Sequence, residues 1–256
     1  MRIVDETYFN QFIEKIGNQI SQSVSRFDSS NLILDLGYQT ISSAVFSSNI
    51  EGNSLDLNSF MNYKLSSEKL KRTKDVEEIE NLILAYNYAQ NHPLDESGFL
   101  HCHKLCSPTL LIKSKQGKYR NTKVGVFGSA GLVYLAVEEE FVAQEIKSLF
   151  EDVNSLLSTD LSIEKVFYHA SLLHLKFVHI HPFSDGNGRM ARLLEKWFVA
   201  QKLGVQFWKM PSERYYRTNQ SHYYENINLG VNYYELNYNR CIPFLLMLPN
   251  CLEEID

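Results

Sequence analysis

Most of the chain carries apolar residues at the spacing of an amphipathic helix. In the first such stretch, residues 7–20, the apolar positions include Phe9, Phe12, Ile13, Ile16 and Ile20. Residues three or four apart share one helix face, so each stretch can bury one side against a core. The same pattern predicts further helices at 34–50, 75–91, 99–111, 138–157, 164–178, 189–203 and 242–248. The stop signals that follow three of them are Gly52, Pro93 and Gly204.

One segment, residues 123–135, departs from this pattern. Its β-branched and aromatic residues flank the turn Gly128-Ser129-Ala130-Gly131, which predicts a β-hairpin. A lone two-stranded hairpin is only marginally stable, so it must rest on the helices. We therefore expect a mainly α fold with one β-hairpin on its surface.

The composition is that of a globular protein. The 256 residues are 44% hydrophobic and 21% charged, which is typical of globular domains. The formal net charge is −5 and the basic residues are dispersed, which disfavours a dedicated nucleic-acid binder. The apolar runs are shorter than a bilayer span requires, and the N-terminus lacks the apolar core of a signal peptide. We expect a cytoplasmic protein without membrane contact.

The cysteines raise one alternative chemistry. We expect reduced thiols, because disulfides are mainly a feature of secreted proteins. The segment 101–106, with the sequence HCHKLC, contains residue types that bind zinc. A structural zinc site usually needs a second ligand pair at comparable spacing, and the segment also fits a buried helix. Packing is therefore the favoured interpretation. The four cysteines are Cys102, Cys106, Cys241 and Cys251.

The most informative segment is HPFSDGNGRMAR, residues 181–192. A loop at 182–188 joins two predicted helices, and Gly186 and Gly188 let a ligand approach its backbone. The N–H groups at the start of the following helix favour an anion. Arg189 and Arg192, three residues apart, share a helix face and can bind two phosphate groups.

Two further residues of this segment suggest a transfer reaction. Asp185 repels phosphate unless a cation lies between them, and a carboxylate with phosphate oxygens commonly holds Mg²⁺. The pKa range of histidine suits His181 to act as a general base on a hydroxyl. Together these residues predict a phosphoryl- or nucleotidyl-transfer site. The segment also fits the dinucleotide pattern GxGxxA, but a predicted helix precedes it where a strand is required. The sequence contains no Walker A loop.

These residues carry a family resemblance. The segment 181–192 resembles the complete Fic motif, HPFx[DE]GNGRxxR, and the resemblance covers roughly residues 94–204. It implies Mg·ATP as the nucleotide, with His181 as base and Asp185 as metal ligand. It also implies an anion cradle at Gly186, Asn187 and Gly188, and phosphate contacts from Arg189 and Arg192. Fic-like toxins that phosphorylate carry lysine in place of Gly188, so this glycine favours AMP transfer.

An inhibitory element is implied by the same resemblance. The stretch from Ser47 to Asn53 resembles the Fic inhibitory motif [ST]xxxE[GN], with Ser47, Glu51 and Gly52 in place. In the family, this glutamate binds the second arginine of the motif, here Arg192. As an isolated residue, Glu51 is better explained as a solvated helix end, and the complete Fic motif downstream reverses this interpretation.

The resemblance also implies how the nucleobase and the target are bound. Tyr223 and Tyr224 resemble a tyrosine pair near the adenine, and Asn232 is a candidate base contact. Aromatic residues at helical spacing are also typical of a plain core. The hairpin resembles the Fic flap, which would bind a target segment as an added strand. Its candidate residues are Val124, Gly125, Val126 and Phe127.

The resulting fold prediction has three parts. Residues 1–93 form an N-terminal helical lobe with the inhibitory helix, 94–204 form the Fic-type core, and 205–256 pack on it. A homodimer is implied by resemblance only.

Three functions remain open at this stage. The first is transfer of AMP to a Ser, Thr or Tyr hydroxyl of a target protein, restrained by Glu51. The second is hydrolytic removal of AMP with the help of Glu51. The third is a nucleotide-sensing interaction module without turnover, which an intact His181 disfavours.

Overall fold

The computed structural model describes residues 1–28, 36–66, 72–128 and 131–254. It is mainly helical with one small antiparallel sheet, as predicted. The helices are α1 (Phe9–Ile16), α2 (Gln19–Asp28), α3 (Gly37–Ile50), α4 (Leu57–Leu65), α5 (Lys74–Gln90), α6 (Glu96–Cys106), α7 (Glu139–Ser158), α8 (Ile163–Ile180), α9 (Asn187–Leu203), α10 (Ser212–Thr218), α11 (Gln220–Ile227), α12 (Ile242–Leu245) and α13 (Met247–Asn250). The strands are β1 (Gly125–Gly128) and β2 (Gly131–Leu135).

Helices α8 and α9 form the centre of the fold. They pack against each other, and most of their residues are buried. Helices α3, α5, α6 and α7 cover α9, while α1, α2 and α12 cover α8. Because α9 is covered on several sides, its charged residues must find partners inside the protein. The boundaries at residues 93 and 204 stay predictions, since one cluster of buried side chains runs through all three regions.

Three predicted helices differ from the observed ones. The single helix at 7–20 is wrong, because Gly17 adopts φ 53° and separates α1 from α2. The helix at 99–111 ends at Cys106, after which Leu110 and Leu111 fold back onto the Ser107 carbonyl.

The terminal helix at 242–248 is divided into α12 and α13 around Leu246. Pro249 has no N–H with which to continue a regular helical ladder there. Three short helices, α4, α10 and α11, were not predicted. Residues 34 and 35 of the predicted helix at 34–50 lie outside the described residues.

The hairpin lies where it was predicted, with an irregular register. Val126 pairs with Tyr134 and Phe127 with Leu132, which leaves Val133 as an extra residue in a bulge. The Leu135 N–H donates to the Val231 carbonyl, so the C-terminal region holds the outer edge of β2. The predicted turn residues Ser129 and Ala130 lie outside the described residues.

The four cysteines are buried. Within the described ranges, no group of three or more His, Cys, Asp or Glu side chains is arranged to hold a metal ion. In the same part of the chain, no helix has the length and apolar character of a membrane span.

Candidate active site

The loop between α8 and α9 is held in an uncommon backbone conformation. His181 ends α8 with φ 51° and ψ 59°, a left-handed conformation that non-glycine residues seldom adopt. Gly186 follows with φ 83° and precedes the first residue of α9. The Asn187 side chain closes the loop: its Oδ1 accepts from the Phe183 N–H at 2.8 Å, and its Nδ2 donates to the Phe183 carbonyl at 2.9 Å. The Asn187 side chain therefore supports the loop, while its backbone N–H lies at the start of α9.

Phe183 anchors this loop in the core. Its buried ring stacks on His103 with 3.6 Å between ring centroids and 3° between planes. The His103 Nδ1 accepts from the Gly117 N–H at 3.0 Å, which leaves its Nε2 to donate to the Asp185 carbonyl at 3.1 Å. Burial lowers the pKa of His103 to about 4, so the ring is neutral near pH 7. His103, from the segment considered as a zinc site, thus supports the loop.

His181 has one ring nitrogen that can accept a proton. Its Nδ1 lies 3.2 Å from the Val178 carbonyl, so Nδ1 carries the hydrogen and Nε2 keeps its lone pair. Burial lowers the pKa of His181, and the charge of Arg120 lowers it further. The neutral ring lines a cavity of about 490 Å³, within the range of small-molecule sites.

Arg120 joins the hairpin to the His181 loop. Its Nε donates to the His181 carbonyl at 2.7 Å, and its Nη1 donates to the Thr122 carbonyl at 2.9 Å. Its Nη2 donates to the Val137 carbonyl, and its backbone N–H donates to the Pro182 carbonyl at 2.8 Å. A single buried side chain therefore fixes the base relative to both ends of the hairpin.

The N-terminus of α9 offers backbone donors to an anion. Gly186 occupies the N-cap position and has no side chain to satisfy the first N–H groups. Gly188 lies in the first turn and lines the cavity. Asp185, which is exposed, accepts from the Gly186 N–H at 2.6 Å. One carboxylate beside a phosphate site fits Mg²⁺, which takes its other ligands from phosphate oxygens and water.

The two arginines of the motif have separate partners. Arg189 donates from Nε and Nη2 to one oxygen of Glu78 on α5, at 3.1 and 2.6 Å. Arg192 is fully buried and donates to the end of α3: Nε to the Ser47 hydroxyl at 2.9 Å, and Nη2 to the Ser47 carbonyl at 2.9 Å. The structure thus directs each guanidinium to a different helix of the N-terminal region.

Glu51 completes the coordination of Arg192. Its Oε1 accepts from Arg192 Nη2 at 2.8 Å, and 25% of its side chain is exposed. A Cβ built on Gly188 would lie 2.1 Å from the same oxygen, so the carboxylate rests against the first turn of α9. Burial alone raises the pKa of Glu51, but the charges of Arg192 and Arg189 outweigh it and lower the pKa. Gly52 follows with φ 95°, which lets the chain leave α3 at this point.

The two candidate tyrosines of the nucleobase site differ in exposure. Tyr223 and Tyr224 both line the cavity, but Tyr223 is buried whereas Tyr224 is 47% exposed. Asn232 is outside the set of lining residues, and its Oδ1 accepts from the Tyr234 and Glu235 N–H groups instead. The lining asparagine is Asn228. The structure therefore gives no support to Asn232 as a base contact.

The hairpin forms one wall of the cavity. Val126 and Phe127 of the four candidate flap residues line it, while Val124 and Gly125 form the hairpin stem. Phe127 is 72% exposed. Among the described residues the sheet has only two strands, so the second edge of β1 carries no strand.

Sequence reasoning missed two residues of this site. Glu78 lies 111 positions from Arg189, and no local spacing links the two. Arg120 lies five residues before β1, and its type and position in the sequence indicate none of its contacts. An arginine close to the start of the one predicted hairpin is the signal that could have drawn attention to it.

The central region of the chain matches a known protein family. Residues 93–199 match the Fic/DOC family. The chain is 32% identical over 137 residues to "Protein adenylyltransferase Fic" of Nematostella vectensis, across 54% of this chain and 27% of that protein. It is 36% identical over 78 residues to "Protein adenylyltransferase fic-1" of Caenorhabditis elegans, across 30% of this chain and 14% of that protein. The matched region is therefore a minor part of these relatives.

Solved structures share the fold. A Fic family protein from Desulfovibrio desulfuricans superposes with a TM-score of 0.79 at 23% identity, covering 95% of this chain and 73% of that one. A Fic domain containing signaling protein from Bacteroides thetaiotaomicron gives a TM-score of 0.70 at 22% identity, covering 91% of this chain and 92% of that one. At these identities the likeness establishes the fold.

Proposed function

From the premise that the chain carries a Fic domain, we propose that it transfers AMP from ATP to a hydroxyl group of a target protein. Relatives of the matched region are named protein adenylyltransferases, which supports the reaction class. We further propose that Glu51 restrains this reaction in the resting protein.

The observation that carries the proposal is the contact between Glu51 and Arg192 beside Gly188. The carboxylate occupies the first turn of α9, where backbone N–H groups and a guanidinium converge. A phosphate group carries the same charge and needs the same donors. Glu51 and a phosphate therefore compete for one position, in a cavity that His181 also lines.

The proposed reaction follows from the state of His181. The hydroxyl of the target gives its proton to Nε2, while its oxygen forms a bond to the α-phosphorus of ATP. The bond from that phosphorus to the oxygen bridging to the β-phosphorus breaks, and pyrophosphate leaves with the electron pair. A neutral imidazole is required at the start, and the lowered pKa of His181 supplies it.

Asp185 would hold Mg²⁺ together with the phosphate oxygens. When bound, the ion offsets phosphate charge during transfer. The exposed position of Asp185 next to the N-terminus of α9 supports this role.

The test uses ATP labelled on either the α- or the γ-phosphorus. We expect Glu51→Gly to incorporate the α-label into itself or into lysate proteins at least about tenfold faster than the wild type. Removal of one charged competitor should make the binding free energy of ATP more favourable by about 1.4 kcal/mol or more. The γ-label stays in solution if AMP is transferred. Mass spectrometry of the product identifies the added group and its attachment residue.

His181→Ala in the Glu51→Gly background is the matched control. It lacks the base but keeps the guanidiniums, so it should bind ATP and incorporate no label. Incorporation of the γ-label, or equally low α-labelling in all variants despite ATP binding, contradicts AMP transfer.

Removal of AMP is a second candidate. The side chains of Glu51 and His181 line one cavity, and the lowered pKa of Glu51 keeps it ionised and able to orient water. Release of AMP from a premodified target by the wild type, and its loss in Glu51→Gly, would favour this hydrolysis.

A further inference from the structure

A buried chain of hydrogen bonds runs from Arg192, the partner of Glu51, into the core. The Arg192 Nη1 donates to the Tyr223 hydroxyl at 3.2 Å, and that hydroxyl lies 2.9 Å from His174 Nε2. The His174 Nδ1 lies 2.8 Å from Glu195 Oε2. Tyr216 donates to both oxygens of Glu195, at 2.8 and 3.0 Å. All five side chains are at most 1% exposed.

The carboxylate of Glu195 sets the directions of the hydrogen bonds in this chain. A carboxylate only accepts, so the neutral His174 ring carries its hydrogen on Nδ1 and donates it to Glu195. The His174 Nε2 is then an acceptor and takes the hydrogen of the Tyr223 hydroxyl, which itself accepts from Arg192. Burial raises the pKa of Tyr223, so its hydroxyl keeps the hydrogen that this arrangement needs.

The guanidinium of Arg192 has a limited number of donors. It carries five N–H groups, of which two are bound by Ser47, one by Glu51 and one by Tyr223. Departure of Glu51 frees one hydrogen on Nη2. The second hydrogen of Nη1 has no acceptor among the described residues. A Cβ on Gly188 would lie 3.2 Å from Nη1, so this hydrogen is next to the first turn of α9.

We propose that Tyr223, His174 and Glu195 act as a positioning relay for Arg192. The relay orients the guanidinium so that one N–H from each terminal nitrogen meets the outer phosphates of ATP when Glu51 withdraws. Such a parallel pair is the favoured way for arginine to bind phosphate. Ser47 and the relay hold the remaining N–H groups, so the arginine is already oriented before the nucleotide arrives. The inference rests on the proposed function, since it presumes a nucleoside triphosphate in this cavity.

The alternative is that these residues only fill the core. A structural role affects all ligands and the stability of the fold alike, whereas a positioning role affects ligands that reach Arg192. ATP has outer phosphates and AMP has none. The ratio of the two affinities therefore separates the roles, and any base contact of the Tyr223 ring contributes equally to both.

The test compares single changes made in the Glu51→Gly protein. Tyr223→Phe removes one hydroxyl and leaves the ring. We expect it to weaken Mg·ATP binding about three- to tenfold by calorimetry, as for loss of one ordinary hydrogen bond, with AMP binding unchanged. Tyr168→Phe is the matched control: its buried hydroxyl lies on α8 and donates to the Asp5 carbonyl, so its loss should leave the ATP to AMP ratio unchanged.

Two changes at His174 test the relay a second way. In His174→Gln the amide oxygen can replace Nε2 as the acceptor for Tyr223, whereas in His174→Asn the shorter side chain cannot reach it. We expect His174→Gln to keep the ATP to AMP ratio better than His174→Asn, with thermal unfolding checked for both. An unchanged ratio in Tyr223→Phe and in both His174 variants overturns the relay, as does an equal loss of ATP and AMP. AMP transfer is measured separately on the parent, so failure of the proposed function appears there and leaves the binding ratio interpretable.

Discussion

Arg189 donates two hydrogen bonds to a single oxygen of Glu78, at 3.1 and 2.6 Å. Both side chains are nearly buried, at 6% and 10% exposure, and Glu78 lies within the helix α5. Glu51, which binds Arg192, instead follows the last residue of α3 and is partly exposed. We therefore expect the first contact to persist, and the second to be the one that opens.

The Glu78 pair should contribute to stability more than to regulation. Glu78→Gln leaves the Arg189 charge buried without its counter-charge, which costs on the order of 3 kcal/mol. We expect the free energy of unfolding in urea to fall by about this amount, without a rise in AMP transfer. Glu80→Gln is the control on the same helix: its partner Arg72 is half exposed, so the loss should stay below about 1 kcal/mol. Equal losses in the two variants would refute this assignment.

Gly188 and Glu51 should act as one unit. A methyl group at Gly188 would overlap the Glu51 carboxylate and push it away from Arg192. Gly188→Ala should therefore change nucleotide binding strongly in the wild type, and Glu51→Gly should add little further effect in that background. A double-mutant cycle on the ATP affinity measures this coupling, which we expect to reach about 1 kcal/mol or more. Additive effects would show that the two residues do not share a position.

The sequence revealed those parts of the site that are close together along the chain. His181, Asp185 and the two arginines fall within twelve residues, so a short motif could predict their proximity. The partners of the arginines, Ser47 and Glu78, come from distant helices. Glu51 was predicted through a family resemblance, because the local pattern alone favours a solvated helix end.

Side-chain orientation was harder to predict than position. The contacts of the Asn187 amide, which closes the loop on Phe183, were not predicted, whereas its place in the anion cradle stays a prediction. Similarly, Gly17 divides a stretch whose apolar spacing indicates one helix. Periodicity reports which face is buried, and it carries no information on where a backbone reverses or which group a polar side chain meets.

The lowered pKa of His181 predicts a shifted pH dependence. The ring must be neutral to accept a proton, and burial with the charge of Arg120 disfavours the protonated form. The base form thus persists to lower pH than that of an ordinary histidine, whose pKa is about 6.5. We expect the acidic limb of kcat/KM for AMP transfer by Glu51→Gly to lie below pH 6.5 or so. Thermal unfolding at each pH controls for loss of fold. An acidic limb at or above about pH 6.5, the pKa of an ordinary histidine, would contradict the assignment of His181 as the base.

The hairpin should select targets without affecting the nucleotide. Phe127 lines the cavity on β1, whose second edge carries no strand among the described residues. A target segment added there would form main-chain hydrogen bonds and cover the Phe127 ring. In the Glu51→Gly protein, Phe127→Asp replaces apolar contact area with charge, so labelling of lysate proteins should fall about tenfold while calorimetric ATP affinity stays unchanged. Phe141→Asp on α7 changes another exposed phenylalanine, outside the cavity lining, and should leave labelling intact. If Phe127→Asp weakens ATP binding and labelling equally, the ring serves the nucleotide; if it alters neither, the target does not reach this strand.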